Sequence, residues 1–159
     1  ASDWSSAVCS SDLAFATGAF ADARRYLQLV PEPTTDLSTK ADIAGLVLTT
    51  DPMAPRLSSA ERLRRVRVAV ERTSARLDAC RSGAVAGTGG DAIETMRQEL
   101  ADLERRVQTR PRSATPDMVD STFDAAGRIV VRANQYCGEG TTLDRALTII
   151  ARLHPPDTP

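Results

Sequence analysis

Apolar residues along this chain recur at spacings of three and four, the period of one helix face, and no sustained stretch alternates at the spacing of two that marks a strand. The clearest stripe is Leu63, Val66, Val70, Thr73, Leu77 and Cys80, opened by Ser58 and Glu61 at the spacing of a capping box. It predicts a long helix over 59–81. A glycine-rich connection over 83–90 follows. Asp91 with Glu94 is then expected to cap a helix whose seam is Ile93, Met96, Leu100, Leu103 and Val107, ended by Arg110-Pro111. Thr115 as N-cap and Pro116 at the first helical position open the next. Its seam is Val119, Phe123, Ala126, Val130, Ala133 and Cys137, and Gly138 closes it. Thr141 with Asp144 starts a last helix from Leu143 to about Leu153, stopped by Pro155-Pro156.

Upstream the pattern is weaker. A helical stretch from Leu13 to Val30 carries Gly18, read as a turn between two helices, and stops at Pro31 and Pro33. Another helix is expected from Asp36 to Thr49, with Leu37, Ala41, Ala44 and Leu48 on one face, ending before Asp51-Pro52. The expectation is an all-α fold of about six helices. A helical hairpin region would occupy 13–50 and an antiparallel helical bundle 58–154, between a disordered leader over 1–12 and a disordered tail over 155–159.

Composition narrows the class. The 159 residues suit one core, and aromatic residues are 4% of them, so Leu, Val, Ile and Ala must build it. A net charge of −1 supplies no field to gather nucleic acid or an acidic membrane. No apolar run approaches the ~20 residues of a membrane helix. Nineteen arginines stand against the single Lys40, which fits a GC-rich coding bias.

Two resemblances bear on organisation. Asp3 to Leu13, DWSSAVCSSDL, resembles the translation of a short-read sequencing adapter, DWSSDVCSSDL, with Ala7 the one departure. It implies a foreign leader, a missing natural N-terminus and no information on compartment. Gly18, Phe20, Ala23 and Tyr26 stand in the order and spacing of a tetratricopeptide repeat, over residues 13 to 31. Pro31 comes about a turn early for that family, and no second copy follows, since position 52 is proline rather than a turn glycine. The later segments look like the C-terminal part of bacterial repeat proteins. The resemblance implies a scaffold that binds another protein, through a hairpin face around Phe15, Phe20 and Tyr26.

Candidate chemistry is sparse. The glycine-rich segment lacks the lysine and preceding strand of a phosphate loop. Arg62, Arg64, Arg65, Arg67, Arg72 and Arg76 crowd one helix, but Glu61, Glu71 and Asp78 interrupt them, and Glu61 lies four residues before Arg65, the favourable pairing order. A solvated face is the plain reading and a nucleic-acid surface the alternative. Cys80 and Cys137 end helices that run parallel in an up-down-up bundle, so their thiols share one end of it. They form either a disulfide, if their Cα atoms lie within ~7 Å, or two small buried hydrophobes. His154 is expected to be mobile beside the tail, with no convergent metal ligands. Asp117 favours a helix N-terminus, and Asp124 faces Arg128 one turn on.

No catalytic residue, metal ligand or cofactor site is therefore assigned. Packed rods are expected to leave no organised pocket, and polar groups converging in a cleft around His154 would contradict that. The functional expectation is a non-catalytic helical scaffold for protein–protein interaction, part of a larger tetratricopeptide-like protein with an unknown protein partner. The alternative is a nucleic-acid-binding module using the arginine-rich helix 59–81.

Overall fold

A computed structural model describes residues 4–83, 89–108, 110, 113–138 and 140–155; the rest of the glycine-rich connection and the last four residues lie outside them. Among the described residues the fold is all-α, with seven helices and no strand. These are α1 (Trp4–Ala16), α2 (Phe20–Leu27), α3 (Thr35–Thr50), α4 (Ser59–Gly83), α5 (Gly90–Val107), α6 (Pro116–Cys137) and α7 (Thr142–Leu153). They divide into two compact units, Ala1–Thr49 and Thr50–Pro159.

In the first unit α1 and α2 form a hairpin. Gly18 takes φ 80°, Ala19 N–H reaches Ala14 O at 2.8 Å and Gly18 N–H reaches Phe15 O at 3.2 Å. Those two bonds make a Schellman motif, whose left-handed residue glycine accepts without a Cβ penalty. α1 corrects the expected disorder over residues 4–12; residues 1–3 lie outside the described ones. Its buried stripe is Ala7, Ser11 and Ala14, and the Ser11 hydroxyl donates to Val8 O at 2.7 Å, so a polar residue can occupy the core-facing position. Alanine and serine give that stripe little apolar contrast along the sequence. Ala7 is where the stretch departs from the adapter translation, and an aspartate there would bury a charge.

α3 corrects a face. Ile43, Ala44 and Val47 are buried, whereas Leu48 is 39% exposed. Lys40, at the edge of the buried face, places its ammonium 2.9 Å from Asp12 and 3.1 Å from the exposed Asp36, which raises its pKa.

In the second unit α4 packs on α5, α6 and α7, and α6 packs on α5 and α7. Leu63, Val66, Val70, Thr73 and Leu77 of α4 are buried, as is the whole expected α5 seam. α6 buries Val119, Phe123, Ala126, Val130 and Ala133, and adds Ile129, which the stripe omitted. The Thr115 hydroxyl accepts from Met118 N–H, and Gly138 ends α6 at φ 67°. A full capping box joins Thr141 and Asp144. α5 starts at Gly90 without a side-chain cap, so the expected Asp91–Glu94 start is displaced. At α4 only half of the expected box forms. Ser58 Oγ accepts from Glu61 N–H at 3.2 Å, while the Glu61 carboxylate turns to Arg64 and Arg65, which pull its pKa down to about 2.

Candidate functional site

The polar chemistry of the second unit gathers where α4, α6 and α7 meet. Arg72 reaches from α4 to Asp144 on α7 through two bonds, Nε to Oδ1 at 2.9 Å and Nη2 to Oδ2 at 2.8 Å. The Asp144 side chain is only 2% exposed. Burial alone would raise its pKa, but Arg72 and the Thr141 backbone N–H (2.7 Å) outweigh that and hold the carboxyl below its usual range. One turn along α4, the buried Arg76 donates to Asn134 Oδ1 at 2.7 Å and to the Gly138 carbonyl that ends α6. Asn134 in turn donates to Thr148, whose hydroxyl donates to Asp144 O. Beside this network Cys80 and Cys137 are joined by a disulfide, with their Cα atoms 5.2 Å apart.

The arginines of α4 are thus used within the unit. Arg67 donates to Val107 O, one of the terminal carbonyls of α5. Arg62 lies 3.9 Å from Asp120 of α6. Arg64 and Arg65 hold Glu61, and Arg65 also donates to Asp51 O at 2.9 Å. The expected solvated face is in large part a set of struts between elements. No sequence pattern reveals this, because the partners lie up to 72 residues away.

His154 is held rather than mobile, which corrects its expected place in a loose tail. Its Nε2 stands 3.1 Å from Asp51 Oδ2, and its ring meets Phe123 edge-on at 6.3 Å between centroids. Asp51 is itself fixed by Met53 N–H at 2.8 Å.

The hairpin aromatics separate. Phe20 is buried, its ring edge-to-face with Phe15 at 5.3 Å, so it belongs to the interior rather than to a contact surface. Phe15 and Tyr26 are half-buried, with the Arg25 guanidinium 5.4 Å from the Tyr26 ring centroid. Leu29 is 62% and Leu13 67% exposed.

A groove runs between α6 and α7 and corrects the expectation that packed rods leave no hollow. One part, about 470 Å³, has Phe123, Gly127, Val131 and Ala151 in its walls and ends at His154 and Pro155. The adjoining part, about 390 Å³, is bounded by Asn134, Thr148, Ile149 and Arg145. Arg152 lines both. The helices approach closely at Gly127, where a Cβ would lie 3.3 Å from Ala151 Cβ. Asp124, Arg128, Arg132 and Arg152 line the same hollow as His154, so polar side chains do meet in a cleft beside that ring, contrary to expectation.

Among the described residues no three His, Cys, Asp or Glu side chains gather as a metal site, and no helix is long and apolar enough to cross a membrane. Comparison with protein-family models, curated proteins and solved structures finds no match. The likeness of residues 13–31 to a tetratricopeptide repeat therefore rests on those residues alone.

Proposed function

We propose that this chain is a non-catalytic helical scaffold whose first hairpin binds another protein. The observation that carries the reading is the hairpin's apolar remainder: Leu29 stands 62% exposed close in sequence to the half-buried Tyr26, and Phe15 is only half-covered. Helical hairpins of repeat architectures bury such remainders against a neighbouring element, and aromatic residues are favoured anchors at interfaces. Leu13 is left out of this surface because it belongs to the adapter-like stretch. A nucleic-acid role for α4 is the weaker reading, because its guanidiniums are engaged with Glu61, Asp120, Asp144, Asn134 and main-chain carbonyls.

A photo-crosslinking side chain at Leu29 or Tyr26, with one at the exposed Arg64 as control, tests the proposal in a cell extract. A single protein adduct should form from positions 26 and 29 but not from 64, and Phe15→Glu should remove it. Adducts from all three positions alike, or from none, would refute the proposal.

A further inference from the structure

We propose that the α6–α7 groove is a binding site for an amphiphilic carboxylate of the fatty-acid class, its head at Arg145 and Arg152 and its chain along Phe123, Gly127 and Val131. The groove combines two chemistries end to end. Its larger part has mainly apolar walls, and Val131 there is 37% exposed, an aliphatic surface that gains by being covered. Its smaller part brings together two guanidiniums with the Asn134 and Thr148 side chains and, among the described residues, no carboxylate, while Asp124 lines the larger part. The volumes, about 470 and 390 Å³, lie in the range of small-molecule sites, where apolar walls with a few placed polar groups are the rule.

Position along the helices sets the ligand's direction. α6 and α7 run antiparallel: Gly127 lies against Ala151, and Asn134 bonds Thr148 at 3.1 Å. The apolar part therefore spans the middle and first half of α6, and the polar part its last turns. Arg152 lines both parts and so stands at the junction, where a head group would leave the hydrocarbon. Among the described residues neither Arg145 nor Arg152 forms an ion pair, whereas Arg132, at the edge of the apolar part, is held by Glu99. An anion with an apolar tail satisfies both halves. An alcohol of the same length leaves the guanidiniums without a charged partner.

The close contact of Gly127 with Ala151 also shows what fixes the floor. With no side chain at 127 the helices touch, and the hollow forms from the larger residues flanking that contact. The groove is thus a consequence of packing and exists without a ligand.

Decanoate and decanol, each below its aggregation limit, titrated into the full chain and followed by methyl and amide NMR, provide the test. Decanoate should bind saturably, with shifts confined to Val131, Ile149, Ala151 and neighbours, and decanol about tenfold more weakly. Arg152 is exposed, so Arg152→Gln should fold normally, weaken decanoate about tenfold and leave decanol unchanged. Arg128→Gln, at the tail end, should change decanoate affinity by less than about twofold. Equal affinity for decanoate and decanol, shifts located elsewhere, no saturation, or equal losses from Arg128→Gln and Arg152→Gln would each overturn the proposal.

Discussion

Removing the Cys80–Cys137 link should cost the second unit about 4 kcal/mol. The bridge closes a loop with a sequence separation of 57 residues. The chain-entropy relation gives a loss of about 14 cal/mol/K from the unfolded ensemble for such a loop, or about 4 kcal/mol at 25 °C. The two cysteines are half-buried, so replacement by serine forfeits little packing and the effect isolates the link. For a unit of about 110 residues an unfolding entropy of about 2.1 cal/mol/K per residue converts this to a fall in Tm of roughly 15 °C. The assay is thermal unfolding by circular dichroism in a Cys9→Ser background, which removes the exposed free thiol. Cys80→Ser, Cys137→Ser and the double variant should melt together, and reductant should bring the parent down to them. Mass spectrometry after alkylation should find no free thiol in the unreduced parent. Two alkylated cysteines before reduction would refute the link, and a linked protein whose Tm ignores reductant would refute the loop-entropy argument.

Three further outcomes concern the polar contacts of the second unit. Asp144→Asn should cost about 2 kcal/mol in urea unfolding, because it leaves Arg72 without its bidentate partner. The Asp144 pKa is lowered by folding, so its contribution is present above the ordinary carboxylate range and is lost as pH falls through it; the parent should destabilise below about pH 4 more steeply than Asp144→Asn. Thr115→Ala, which removes the acceptor for Met118 N–H, should cost about 1 kcal/mol in the same measurement.

The seams of α4, α5 and α6 were legible because each repeats over several turns with strong contrast between apolar and charged positions. The Thr115-Pro116 start and the Thr141–Asp144 box were legible because capping is local. The face of α3 is not legible because ADIAGLVL offers more than one apolar helical face, and only tertiary packing selects Ile43, Ala44 and Val47 for burial. α1 is not legible because its buried stripe is alanine and serine. The groove, the Arg72–Asp144 pair and the His154–Asp51 contact were not readable at all. They join residues 72 and 103 positions apart in the last two cases, and pairing at such separations leaves no periodic trace. Recognising α4's arginines as struts required the same long-range information.

That role of α4 divides the functional readings, and a salt-resolved titration tests it most directly. Labelled duplex DNA and single-stranded RNA can be titrated by anisotropy at about 50 mM and about 200 mM salt, where true phosphate binding would lose several orders of magnitude. Guanidiniums engaged with Glu61, Asp120, Asp144 and Asn134 predict no saturable binding to either nucleic acid, even at the lower salt. Saturable binding that weakens steeply with salt and is lost in Arg64→Gln would contradict the account.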